Sequence, residues 1–233
     1  MKRIWSILIF CLLTLSTIAS KEKPDSSLVA YYPFNGNATD QSGNGNDAVV
    51  DGAVLTTDRF GKEDGAYSFD GVKSTISALV KNFPALNAPQ TISLWFFVEA
   101  RPVFTYATDS ENMIVICNPE AGIGVQVGFR CENYKTKGFD TWNWGGGTLL
   151  QFDPPELNKW THCVYTYDGL THRFFLNGKE LGSSTAKTQD GIPTQIMLGN
   201  YPTGIQFLKG KLDDIRIYNR ELKNSEIDKL YKF

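Results

Sequence analysis

Residues 28–50 read LVAYYPFNGNATDQSGNGNDAVV, and residues 210–231 read GKLDDIRIYNRELKNSEIDKLY. Each joins an apolar stretch of strand character to a polar element rich in Asp, Asn, Ser or Gly. In an extended chain, alternate side chains share a face. That places Asp213, Ile215 and Ile217 together, with Asp214, Arg216 and Tyr218 opposite. After the second strand, Ile227, Leu230 and Tyr231 recur at helical spacing, so a short helix is expected over residues 224–231. Two apolar strands at the ends of one chain are natural partners where a sheet closes.

The interior repeats the strand pattern. Thr91 to Val98 is β-branched and aromatic, with Ile92, Leu94, Phe96 and Val98 on one face. Met113 to Cys117 is a short apolar run. Gly124 to Cys131 alternates Val125, Val127 and Phe129 with Gln126, Gly128 and Arg130. Trp160 to Tyr167 leads into Asp168-Gly169, and Phe174 to Leu176 leads into Asn177-Gly178, two hairpin turn signals. Further strand-like runs cover residues 195–198 and 212–218. Many short strands with frequent turns predict an all-β sandwich or barrel.

The first twenty residues stand apart. Lys2 and Arg3 precede an apolar run from Ile4 to Ile18, too short for a transmembrane helix, and Thr17-Ile18-Ala19 offers small residues for cleavage. Residues 1–20 therefore read as a secretory signal peptide, and Lys21 to Ser27 as a flexible polar leader. Cys11 follows Phe10, which is too large for a lipobox. No second apolar run approaches a membrane span. The expected domain is 28–233, long enough to bury a sizeable core. Of 23 basic side chains, removing Lys2 and Arg3 leaves 21 against 25 acidic ones, a net charge of −4. That balance disfavours nucleic acid and anionic membranes as partners. Cys117, Cys131 and Cys163 remain, an odd number, so one intramolecular disulfide and buried free thiols are both open.

The order of these segments resembles the laminin-G-like, concanavalin A-like lectin/glucanase family. The resemblance rests on Leu28 to Phe34 as first strand and Asp40-Gln41-Ser42-Gly43-Asn44-Gly45-Asn46 as a "D-x-S-G-N-x-N" turn. It continues with Tyr67-Ser68-Phe69-Asp70-Gly71, the Thr91 to Phe97 strand, the Trp160 to Gly169 hairpin, Phe175-Leu176-Asn177-Gly178, and the closing Gly210 to Arg220. It implies a two-sheet antiparallel jelly-roll sandwich with a short C-terminal helix. The chain departs from the family's pattern at the helix start, where Lys223 stands in place of a capping Ser although Glu226 is kept. Asn224 or Ser225 is then expected to cap.

The resemblance also implies a structural Ca²⁺ between the N-terminal turn and the closing strand. Calcium takes hard oxygen ligands, so Asp40 and Asp213 are the expected side-chain ligands, with Gly43 and Asn46 helping. An Asp on an apolar face calls for a partner. The alternatives are a turn-forming Asp40 and an Asp213 that caps a buried amide. A ligand surface is sought in YKTKGFDTWNW (134–144), followed by three glycines. Trp142 and Trp144, with Tyr134, offer rings for stacking on sugars. Asn143, Asp140 and Lys137 offer hydrogen bonds, and Tyr106 and Tyr201 are lesser candidates of the same kind. The alternative is that the tryptophans pack inside. His162 and His172 lie in adjacent hairpin strands without zinc-like partners, which points to structural roles. Asn37-Ala38-Thr39 fits a glycosylation sequon.

Glycosidases need paired carboxylates, and the Glu-x-Asp-x-x-Glu run of jelly-roll hydrolases does not occur here. The lyase motifs and a Gly-x-Ser-x-Gly elbow are missing as well. The expectation is a non-catalytic module, secreted, periplasmic or on the cell surface, that binds a glycan. A module binding an extracellular or cell-surface protein is the alternative, and a hydrolase or lyase of the same fold the third.

Overall fold

The structure, a computed structural model, describes residues 25–100, 110–132, 135–143 and 147–232. Two antiparallel sheets pack face to face. The eight-stranded sheet contains β1 (Leu28–Tyr32), β3 (Val54–Thr56), β4 (Ala66–Asp70), β6 (Gln90–Val98), β11 (Thr161–Tyr167), β12 (His172–Leu176), β13 (Lys179–Ser184) and β15 (Lys209–Tyr218). The seven-stranded sheet runs β10 (Gly147–Phe152), β9 (Lys135–Asn143), β8 (Ile123–Glu132), β7 (Ser110–Asn118), β14 (Gln195–Leu198), β5 (Thr75–Leu79) and β2 (Val49–Asp51). The expected two-sheet sandwich is present, and the one helix among the described residues is α1 (Asn224–Lys232). Among the described residues, no helix is long and apolar enough to cross a membrane.

Cross-strand registers turn the alternation of the sequence into two facing inner surfaces. In the eight-stranded sheet, Phe174, Tyr165, Ile92, Ile217 and Ala30 form one row across five strands. In the other, Val50, Ile76, Leu198, Ile114, Val127, Thr141 and Leu150 cross all seven strands. Their apolar members belong to, or pack against, one continuous core. Each fully buried Leu, Ile or Phe side chain contributes roughly 1.5–3 kcal/mol.

The strands at the two ends of the domain do pair. β1 runs antiparallel to the last part of β15, while β4 pairs with its first part. Between these parts β15 bulges: the register shifts between Asp213 and Arg216, and Asp214 takes a positive φ of 52°. The extra residue interrupts the period of two. Leu212, Ile215 and Ile217 enter the core, and Asp213 does not join them. Instead, Asp213 and Asp214 reach the same guanidinium on the outer face. This corrects the alternation reading, which put Asp213 with Ile215 and separated the two acids.

The Asn177-Gly178 turn joins β12 to β13 with both residues at positive φ, 49° and 76°. That is the type I′ pattern favoured by Asn-Gly. α1 lies on the outer face of the eight-stranded sheet, where Ile227 and Leu230 meet Val164, Phe175, Tyr218 and Leu222. Its start differs from the expectation. The Lys223 carbonyl accepts from the amides of Glu226 and Ile227, and the Lys223 N–H donates to the Glu226 carboxylate at 2.9 Å. Half of a capping box therefore survives without a capping side chain at Asn224 or Ser225.

Candidate functional site

The polar turn at 40–46 is a closed hydrogen-bond unit. Asp40 Oδ1 accepts from the Tyr31 and Ser42 amides, both at 2.9 Å. Its Oδ2 accepts from Ser42 Oγ at 2.8 Å and the Asn46 amide at 3.0 Å. Asn46 is wholly buried, and each of its polar groups is used. Its side-chain amide donates to the Val29 carbonyl, its Oδ1 accepts from the Lys81 amide, and its own carbonyl accepts from Tyr32 Oη at 2.6 Å. Gly43 supplies turn backbone between these partners. Asp40 thus performs the turn-forming alternative.

Asp213 lies elsewhere, on the outer face of β15. Its Oδ2 is 2.6 Å from Arg59 Nη1, and Asp214 Oδ2 is 3.0 Å from Arg59 Nη2 and 2.9 Å from Arg216 Nη1. Arg59 also lies over the rings of Trp95 and Phe60, and Arg216 over Tyr31, whose hydroxyl accepts from Arg216 Nη2. Burial, with Asp214 and Asp58 adding to it, pushes the Asp213 carboxyl up to about 7 against the pull of Arg59. Asp40 and Asp213, the expected side-chain ligands of a calcium ion, are thus engaged by different partners. The turn points donors at Asp40, and a guanidinium already neutralises Asp213. Among the described residues, no group of three or more His, Cys, Asp or Glu is placed to hold a metal.

Both histidines have structural surroundings. His162 Nε2 is 2.9 Å from Ser93 Oγ, and its ring meets Trp95 at a tilt and stacks with Tyr231 of α1. Burial, then Arg59 and Arg216, hold its pKa down to about 3, so it is neutral. His172 Nδ1 is 2.8 Å from Tyr165 Oη, and its ring stacks on Tyr167. Cys117 and Cys163 are buried free thiols in different sheets. The Cys131 side chain lies outside the described residues.

Most of the aromatic segment in which a ligand surface is sought forms a strand, β9, inside the seven-stranded sheet. Tyr134, Trp144 and Tyr106 lie outside the described residues, as do the side chains of Trp142, Asn143, Asp140 and Lys137. The backbone register still places two of these positions. Val49, Ser77, Met197, Val115, Gln126, Trp142 and Thr148 form one row across all seven strands, one step from the inner row. Position 142 thus belongs to the outer row. Position 143, paired with Val125, belongs to an inner one. Val115, Cys117 and Met197 form a small buried apolar cluster on the outer side. Burial raises the Tyr201 hydroxyl above its ordinary range, with Cys117 a second cause. Its loop is anchored at one end, where Asn200 accepts from Thr75 Oγ1 at 2.7 Å, and at the other, where Asn112 Nδ2 donates to Gln206 at 2.9 Å. Val49 and Leu79 remain more than two-thirds exposed at the β2–β5 edge.

This outer face, about 29 Å from the first to the last strand at sheet spacing, carries apolar, thioether and amide groups, of which Val115, Gln126 and Met197 are buried. Of the residues expected to form a ligand surface, Trp142 falls in the outer row by register, where Gln126, Met197 and Val115 join it through strand order alone. Sequence reasoning missed Arg59, although two adjacent buried acids in β15 signal the need for a cation.

Residues 64–228 match Laminin_G_3, described as the Concanavalin A-like lectin/glucanases superfamily. The chain belongs to this family. No curated protein matches it. Among solved structures, the Laminin_G_3 chain resembles domain 4 of AbnA, a GH43 extracellular arabinanase from Geobacillus stearothermophilus, in complex with arabinotriose. The TM-score is 0.69 at 20% identity, covering 88% of this chain and 98% of that one. It also resembles the botulinum neurotoxin serotype D binding domain (TM-score 0.61, 15% identity, 88% and 51% covered). A third likeness is to Trypanosoma rangeli sialidase (TM-score 0.67, 17% identity, 89% and 33% covered). The chain spans about half of the toxin domain and a third of the sialidase. At these identities the likeness shows the shared Laminin_G_3-type fold.

Proposed function

We propose that the protein is an exported, non-catalytic module that binds a glycan on the outer face of its seven-stranded sheet. The observation that carries this reading is the strand register, which sets position 142 in the outer row of this sheet, in line with the buried Gln126, Val115 and Met197. Aromatic rings stack on the apolar C–H faces of sugars, and side-chain amides pair with hydroxyls. The likeness to a domain solved in complex with arabinotriose supports the same class of ligand. The basic and apolar N-terminal segment supports export.

The test is an oligosaccharide array, arabinotriose included, followed by calorimetry with Trp142→Ala and Tyr201→Ala. Loss of about 1–3 kcal/mol of binding per ring removed is expected, by analogy with stacking on bases. Unchanged affinity in both variants would remove the outer face as the site. Turnover of a polysaccharide would overturn the non-catalytic reading. A protein-binding module is the second reading, favoured by exposed Val49 and Leu79. It would gain if no glycan binds while a surface protein is captured through that edge.

A further inference from the structure

The resemblance to calcium-holding domains and the arrangement of this chain disagree, and the disagreement is specific. We propose that Arg59 is a built-in cation that links the 57–65 segment to the closing strand, so that the domain folds and stays folded without calcium.

Three observations place a guanidinium where a divalent ion would otherwise be sought. The carboxylates of Asp213 and Asp214 are both buried, and each approaches a different nitrogen of Arg59, at 2.6 and 3.0 Å. The bulge at Asp214 makes this possible by turning two successive acids to one face. Trp95 and Phe60 then hold the guanidinium by its faces, 4.7 and 4.4 Å from Cζ to the ring centroids. A planar, always-charged fork between two carboxylates and two rings is a task for Arg rather than Lys. The other expected ligands are committed as well: Asp40 meets four N–H or O–H donors, and Asn46 Oδ1 accepts from Lys81.

The network continues through Asp214 to Arg216, and from Arg216 to the ring and hydroxyl of Tyr31 in β1. One chain of contacts thus ties the first strand, the 57–65 segment and the last strand. The cross-terminal staple expected from a metal is supplied by side chains. Removing one partner of a buried ion pair leaves an uncompensated charge in the protein, which is far worse than the pair is good.

The experiment is a thermal melt of the full chain in EDTA and in excess CaCl₂, with terbium luminescence sensitised by Trp95 as a direct probe of ion binding. Wild type is expected to melt at the same temperature in both buffers and to give no calcium-displaceable terbium signal. Arg59→Gln is expected to melt lower by on the order of 10 °C. Arg59→Lys, which keeps the charge but loses the fork, should fall between the two. A calcium-dependent rise in the wild-type melting temperature, or a displaceable terbium signal, would overturn the proposal. So would an Arg59→Gln variant as stable as wild type. If Arg59→Gln does not fold, the wild-type comparison and Arg59→Lys still decide.

Discussion

Glu111→Gln should stabilise the protein increasingly as pH rises. Glu111 sits near the start of β7, on the inner row with position 129, and none of its surface reaches solvent. One carboxylate oxygen accepts from the Lys209 amide of β15, so the side chain bridges the two sheets. The other oxygen is buried without a partner. Burial pushes the carboxyl up from 4.5 to about 8, only partly opposed by the Lys209 N–H. The folded protein therefore holds a proton that the unfolded chain releases. Stability from this site is full below about 4.5 and is lost as pH rises through about 8. At ~1.4 kcal/mol per tenfold change in proton affinity, the loss is about 1 kcal/mol at pH 5, about 3 at pH 7 and about 4 at pH 8. Gln keeps the acceptor for Lys209 and puts an N–H where the bound proton was, and it does not titrate. The assay is urea denaturation of both proteins at several pH values, read as the difference between them. Other titrating groups, Asp213 included, are common to both proteins and cancel. The expected difference grows by roughly 3 kcal/mol from pH 5 to pH 8 in favour of the variant. Parallel profiles would refute the argument, because a Glu111 ionised normally inside the sandwich contradicts its burial.

Two further substitutions probe the packing that positions the site. Gly199→Ala should destabilise by roughly 2–4 kcal/mol in chemical denaturation, since a Cβ there would meet the core ring of Phe69 at 2.2 Å and the backbone has a positive φ of 80°. Thr141→Val should be neutral or raise stability by about 1 kcal/mol in the same assay, because the Thr141 hydroxyl is buried between Val127 and Leu150 without a partner.

Most strands are legible in the sequence because apolar residues alternate and turns announce themselves. β6, β8 and β15 were visible this way, as were the Asn177-Gly178 hairpin and α1. The misreadings have physical causes. The bulge at Asp214 adds one residue to β15, and an alternation rule carries no sign of such an insertion, so Asp213 was placed in the core. Its true partner, Arg59, is 154 residues distant in sequence. β9 is not legible as a strand because Gly138 within it and the glycines at 145–147 after it weaken the local signal, and its place between β8 and β10 overrides weak local propensity. The outer row of Met197, Val115, Gln126 and position 142 joins the consecutive strands β7, β8 and β9 to β14, which comes much later in the chain. Only the order β14-β7-β8-β9 brings them together.

That outer row can be watched directly. Beyond Met1 the chain has two methionines, one on each side of the seven-stranded sheet: Met113 in the main core and Met197 in the outer cluster. With ¹³C-methyl methionine, titration of the wild-type domain with arabinotriose, or with an oligosaccharide identified on the array, should move the Met197 resonance and leave Met113 in place. Saturable binding that leaves Met197 unmoved, or that moves only Met113, would contradict glycan recognition by the outer face.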